Sequence, residues 1–387
     1  MKPTENPWKN CLEFCAISEI GLRRSNNQDS HDEVPARNQK IWNSRGHVFC
    51  VADGMGAHAA GELASKLATD TIPMVYLKQT HLTPPEALTK AIQEANRRIH
   101  TKGNSDDELR GMGTTNDTLV ILPEGVMIGH VGDSRVYRLR GTKWEQMTRD
   151  HSVVWDKEEA HEVIDETVHK NVITRCLGVS PEVKPDIEGP WPVQVGDIFL
   201  LCSDGLCGQF EEDHETNYCE MGKILSVLPL QEATRTLVDL ANLRGGPDNI
   251  TVITVKYLGP QQAVPTKQDP KPVQMATETE MPHPEMPEWQ WSVMKLLGKK
   301  PPKAFTQRTG RGPYRSYSAV CDAKFATELR RIFTELRQSA GTQAELNFRK
   351  VDLLAAQAAK ALTAKGFKEA TKFFAQAISE IWRQLAE

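Results

Sequence analysis

Five aspartates in this chain are placed where they could do metal chemistry. Four close strand-like stretches beside glycine or another small turn residue: Val51-Ala52-Asp53-Gly54, Val131-Gly132-Asp133-Ser134, Cys202-Ser203-Asp204-Gly205 and Gly246-Pro247-Asp248-Asn249. The fifth, Asp29, ends the run Arg24-Ser25-Asn26-Asn27-Gln28-Asp29. Taken singly, an Asp-Gly after a strand is an ordinary turn. Taken together, strand ends meeting at one rim of a sheet would crowd hard carboxylate oxygens into a small space, which costs repulsion unless cations compensate. Mg²⁺ and Mn²⁺ favour octahedral oxygen coordination and keep several waters, so few protein ligands per ion suffice. Four carboxylates balance two such ions. Gly54, lacking a side chain, lets its carbonyl approach an ion that Asp53 already binds, which favours Asp53 as a bridging ligand.

Positioning such a rim takes a strand-rich domain, and the sequence from Cys11 to Tyr257 has that character, with short apolar runs alternating with glycine and aspartate turns. Val48–Val51, Leu119–Leu122, Val126–Ile128, Ile198–Leu201 and Val252–Val255 are the clearest strands. Ala59–Leu77 and Pro84–His100 repeat apolar residues at helical spacing (Leu88, Ile92, Ala95, Ile99), so each should bury one face against a sheet. Strands, a helix pair and further strands predict an α+β fold with helices on sheet faces.

Past Tyr257 the composition shifts to Pro, Glu, Gln and Thr, which predicts a largely disordered linker over 259–315. Trp289-Gln290-Trp291 is an aromatic island within it, read as a docking loop. From 316 to 387 apolar residues return at helical spacing: Phe325, Leu329, Ile332 and Leu336, then Val351, Leu354 and Ala358, then Phe367, Phe374, Ile378 and Ile381. This reads as a small helical bundle, with one helix pair of tetratricopeptide character. It is expected to be either a structural hairpin or a module that recruits a protein partner across a flexible linker.

The chain has 387 residues, a charged fraction of 25% and a formal charge of −4. That lacks the basic excess of nucleic-acid binders. Its eight cysteines include no CxxC pair, and no stretch approaches the ~18 apolar residues of a membrane span. A cytoplasmic protein without a membrane or nucleic-acid partner is expected.

Beyond the aspartates, a series of segments resembles the metal-dependent protein phosphatases of the PPM, or PP2C, type, especially their bacterial branch. In order these are Gly21–Asp29, Val51–Glu62, Gly111–Thr115, Gly132–Arg135, Thr148–Ser152, Leu201–Leu206 and Gly245–Thr251. The resemblance covers Phe14 to Val255 and implies a sandwich of two antiparallel sheets flanked by helices, in a domain spanning 1–258. It implies that Asp53 bridges two divalent ions, Mn²⁺ or Mg²⁺, with the Gly54 carbonyl on one of them and Asp204 and Asp248 completing the site. Asp29 would act on the second ion through its water, and Asp133 with Asp204 would form a third, weaker site.

Arg24 is similar to the family's phosphate-binding arginine, a role suited to a planar, permanently charged donor. The implied activity is hydrolysis of phosphoserine or phosphothreonine in proteins by a water activated between the two ions, reversing serine/threonine kinase signalling. Phosphorylated proteins and a cognate kinase pathway are the implied partners. Gln28 stands where the family more often has glutamate, which puts metal affinity in question. Met55 takes the place of a histidine found in eukaryotic members, and no general acid is assigned. His58 reads as a turn residue, and His151 either as part of a flap beside the site or as a loop histidine without a role. A catalytically weak scaffold, docking phosphoproteins through the same fold and tail, is the alternative from another functional class.

Overall fold

The computed structural model describes residues 8, 10–56, 60–161, 172–210, 212–213, 218–259, 310–341 and 347–386. His58 and the Trp289-Gln290-Trp291 island lie outside them. One sheet contains β1 (Leu12–Glu19), β7 (Arg135–Arg140), β8 (Lys143–Gln146), β10 (Ile198–Cys202), β11 (Glu212–Asp213), β12 (Tyr218–Cys219), β13 (Ile250–Tyr257) and β14 (Arg315–Ser318). Its order is β1-β13-β10-β7-β8-β14-β12-β11, and every pairing except β12 with β14 is antiparallel. The other contains β2 (Asp29–Val34), β3 (His47–Met55), β5 (Asn116–Leu122), β6 (Gly125–Val131) and β9 (Asp186–Trp191) in the order β2-β3-β5-β6-β9, with β4 (Gly113–Thr114) beside the end of β3.

Side-chain alternation sorts these strands into layers. On β3, Phe49 and Val51 join Leu119, Ile121, Phe199, Leu201, Ile253 and Val255 in the core between the sheets. Val48, Cys50 and Ala52 point the other way, into a core with α2 (Ala60–Lys78) and α3 (Pro84–Asn104). A strand buried on both faces reads as a continuous apolar run, which is why Val48–Val51 was visible in the sequence. The α3 start is fixed by a capping box, in which Glu86 accepts hydrogen bonds from the Thr83 backbone N–H (2.9 Å) and hydroxyl (2.7 Å). All five expected strands and both expected helices are present.

The outer face of the first sheet is covered by α6 (Glu220–Val227) and α7 (Leu230–Leu243), and over them by three helices of the tail: α8 (Ala323–Ala340), α9 (Arg349–Thr363) and α10 (Phe367–Ala386). Here the packing differs from a bundle held on a linker. The strand β14 sits inside the sheet, pairing with β8 in the register Arg315↔Gln146 to Ser318↔Lys143. Phe325, Leu329, Phe374 and Ile378 share one core with Tyr137, Trp144, Leu225 and Leu237. Residues 310–314, which sequence assigns to the linker, lie against Glu188 and Trp191. The Lys223 side chain, 1% exposed, donates to Asp322 at the head of α8 (2.6 Å) and lies 3.7 Å from the Tyr218 ring centroid. A buried lysine needs such a partner, so α6 and the tail form a matched pair.

Candidate active site

The β2–β3 register sets Asp29 opposite Asp53 at one rim of the second sheet. Asp53 is held through its backbone: its N–H donates to Thr115 Oγ1 (2.9 Å), and its carbonyl accepts from Thr115 N (2.9 Å) and Thr114 Oγ1 (2.8 Å). Gly54 follows where no side chain fits, since a Cβ there would come within 2.1 Å of the Gly61 carbonyl oxygen. From the facing sheet, β10 ends at Cys202, Ser203 caps the single-turn helix α5 (Asp204–Cys207), and Asp204 begins it. The Ser203 hydroxyl accepts from Thr251 N (3.0 Å) and donates to Asp29 Oδ2 (2.8 Å), tying the two sheets together at the site.

Arg24 is carried by the loop from β1 to β2, and Asn249 secures that loop. The Asn249 amide donates to the carbonyls of Ile20 and Asn26 (both 2.9 Å) and accepts from Gln28 N (2.8 Å). Gly21, at φ +75°, brings this loop so near the Asp248 carbonyl that a Cβ would be only 2.1 Å from its oxygen. The arrangement lets Arg24 Nη2 donate to Asp248 Oδ2 at 2.6 Å while half of its side chain stays exposed. Gln28 turns its amide toward the Gly56 carbonyl (3.4 Å).

These groups feel one another strongly. Burial, followed by the charges of Asp29, Asp204, Asp133 and Asp248, pushes the Asp53 carboxyl well above its usual range. Burial first, then Asp204 and Asp248, opposed by hydrogen bonds, brings Asp29 up to about 7. Burial with Asp204 and Asp150 brings Asp133 up to about 7 as well. Asp204 is raised by burial and Asp248, and its carboxyl hydrogen-bonds with that of Asp53. Asp29 Oδ1 is buried without any hydrogen-bond partner, a position that is costly unless something else satisfies it. Among the described residues no three His, Cys, Asp or Glu side chains enclose an ion by themselves. That open spacing, the unmatched charge and the all-oxygen donors fit hard divalent ions that retain much of their water. Because Ser203 orients Asp29, Ser203→Ala should weaken apparent Mn²⁺ affinity about tenfold, the low end for loss of an outer-shell partner; metal titration by calorimetry checks this.

Comparison with known proteins follows the same lines. The sequence profile described as Protein phosphatase 2C matches residues 23–239, more than half of the chain. The chain belongs to the protein phosphatase 2C family. It is 33% identical over 251 residues to Protein phosphatase PhpP of Streptococcus pneumoniae, covering 97% of that protein and 63% of this one. The crystal structure of the Mycobacterium tuberculosis serine/threonine phosphatase PstP/Ppp matches with a TM-score of 0.54 and 30% identity, over 98% of that chain and 64% of this one. The catalytic domain of serine threonine protein phosphatase PstP, solved in complex with 2 manganese ions, matches with a TM-score of 0.54 and 31% identity, over 98% of that chain and 64% of this one. The protein is a serine/threonine phosphatase of this family. Almost all of each matched chain is covered while over a third of this one is not, and the tail lies outside the family match.

Within this phosphatase, Asp29, Asp53, Asp133, Asp204 and Asp248 lie within one another's field, and Arg24 reaches Asp248. Sequence reasoning missed what holds them. His151 is neither loose nor idle: it is 1% exposed, donates its backbone N–H to the Gly132 carbonyl (2.7 Å), and accepts from Gly132 N at Nδ1 (3.0 Å). Its proton therefore sits on Nε2, 3.0 Å from Asp186 Oδ2, and burial holds its pKa down to about 4. Its two contacts fix the turn that presents Asp133. Beneath it, the buried His130–Asp117 pair (2.7 Å) sends His130 Nε2 to the Arg149 carbonyl (2.8 Å). Asp117 and His130 sit inside apolar strands and gave no signal beyond being polar residues in such runs.

Proposed function

We propose that the chain hydrolyses phosphoserine and phosphothreonine in proteins through two divalent ions at the aspartate rim, and that it opposes serine/threonine kinases. The observation that carries this reading is the meeting of Asp53, Asp29, Asp204, Asp248 and Asp133 with Arg24 at one rim, from segments far apart in sequence. Asp53, with the Gly54 carbonyl beside it, would be the ligand the two ions share, Asp204 and Asp248 would complete the set, and Asp29 would act on the second ion. Asp133 with Asp204 would hold a third, weaker ion. Ions held there, Mn²⁺ or Mg²⁺, would supply Lewis acidity and an acidified water. Arg24 binds the phosphoryl oxygens, with its guanidinium kept charged and aimed by Asp248. The substrates are phosphorylated proteins, a class supported by membership of the family and by relatives that are themselves serine/threonine phosphatases.

The direct test is turnover of p-nitrophenyl phosphate by the purified protein with Mn²⁺ and with chelator. Turnover should require the metal, and Arg24→Ala should raise KM about tenfold or more, as expected for one charged hydrogen bond. No metal-dependent turnover, or an unchanged KM, would contradict the reading.

A further inference from the structure

The tail strand does more than close a sheet. Just before it, Gly312 N donates to Glu188 Oε2 (3.1 Å), the Tyr314 hydroxyl donates to Glu188 Oε1 (2.5 Å), and Trp191 Nε1 donates to the Gly312 carbonyl (3.3 Å). The Arg315 guanidinium lies 3.9 Å from the Trp155 ring centroid and pairs with Glu158. The Tyr314 ring meets the Trp155 ring edge-on at 6.3 Å. Trp155 and Glu158 both belong to α4 (Val153–Glu159), a short helix outside the sheets. Tyr314 and Arg315 thus grip α4 through one buried indole and one carboxylate, with the exposed Arg311 4.0 Å from Glu159 at its end.

From α4 the chain of contacts runs to the site. Ser152, the cap of α4, bridges to Ile173, and Val153 N donates to the Val172 carbonyl (3.0 Å). Thr174 N donates to the His151 carbonyl (2.7 Å), and Leu177 exchanges backbone hydrogen bonds with Thr114, whose hydroxyl holds the Asp53 carbonyl. Cys176 lies within the field of Asp133. Residues 172–179 therefore border the aspartate rim, and α4 braces them from behind. Val172 and Val179 are exposed along this border.

We propose that Tyr314 and Arg315 are positioning residues for the dephosphorylation of protein substrates: from the tail they hold α4, and through it the 172–179 segment that faces the substrate chain. The inference rests on the phosphatase reading. It makes engagement of protein substrates depend on a part of the chain that the matched relatives lack. A small aryl phosphate, which needs only the aspartates and Arg24, does not use the brace.

The test uses the full chain with Arg315→Met, Tyr314→Phe and Glu158→Gln, and with Arg330→Ala, an exposed residue of the tail helix α8, as control. Hydrogen exchange should accelerate in 153–159 and 172–179 and stay unchanged in α2. KM for a phosphothreonine peptide should rise about tenfold in Arg315→Met, the scale of one cation–π contact with one partly exposed ion pair, while kcat for p-nitrophenyl phosphate holds. Should Arg315→Met fail to fold, Glu158→Gln, altered on the α4 side, carries the same expectation at smaller size. Unchanged exchange in those segments, or equal losses on both substrates, would overturn the proposal. Absence of p-nitrophenyl phosphate turnover in the unaltered protein would instead overturn the phosphatase reading beneath it.

Discussion

Asp53→Asn should lower kcat/KM for p-nitrophenyl phosphate by at least about 10³-fold, or ~4 kcal/mol of transition-state stabilisation, and should make the metal-free protein more stable. The two effects have one cause. Asp53 is buried among four other aspartates, and its carboxyl is raised further than burial alone would take it. An amide keeps the shape but removes one buried like charge, so the metal-free fold loses repulsion while the ions lose their shared ligand. The pH dependence has a definite sign. Asp29 and Asp133, both raised from 3.8 to about 7, are protonated in the metal-free fold where the unfolded chain would already be ionised.

Their contribution is complete below about 3.8 and is lost as pH rises through 7, so metal-free stability should fall across that window. Mn²⁺ should therefore stabilise the protein more at higher pH, since its binding displaces those protons. Thermal unfolding with chelator and with Mn²⁺, from pH 5 to pH 8, measures both trends. An Asp53→Asn protein that remains active, or that melts lower without metal, would contradict the account.

Ending the chain after Leu258 should cost most of the stability of the phosphatase domain. The cut removes β14 from the interior of a sheet and strips Phe325, Leu329, Phe374 and Ile378 from a core they share with Trp144, Leu225 and Leu237. Each such buried side chain is worth about 1.5–3 kcal/mol, so four of them rival the ~5–15 kcal/mol that holds an ordinary protein folded. Lys223 also loses Asp322. Circular dichroism and melting of the truncated protein should show a partly folded or aggregating species. A truncated protein melting within a few degrees of the full chain would show that the shared core is dispensable.

The difference between the legible and the hidden parts of this molecule is physical. Val48–Val51 and Val252–Val255 are buried on both faces, so their composition announces strands; the helix pair α2 and α3 carries an apolar stripe and, in α3, a capping box. The aspartates were legible because each closes such a strand beside a small residue. Arg315–Ser318 gave no such signal. Arg-Ser-Tyr-Ser buries one residue well, Tyr317, and its place in the sheet is set by the edge that β8 offers rather than by its own pattern. Lys223 reads as surface because its burial depends on Asp322 and Phe325, far along the chain, as well as on the nearby Tyr218 ring. The supports of the site, Ser203, Asn249, His151 and Asp117, are polar residues whose partners lie in other elements, and spacing along one chain does not encode such pairings.

The most direct measurement is anomalous scattering from crystals of the full chain grown with Mn²⁺. Two strong peaks beside Asp53, flanked by Asp29, Asp204 and Asp248 and missing from Asp53→Asn crystals, are the expected result. Manganese absent from that rim, or bound only at a distance from Asp53, would contradict the claim that these carboxylates assemble a two-ion hydrolytic centre.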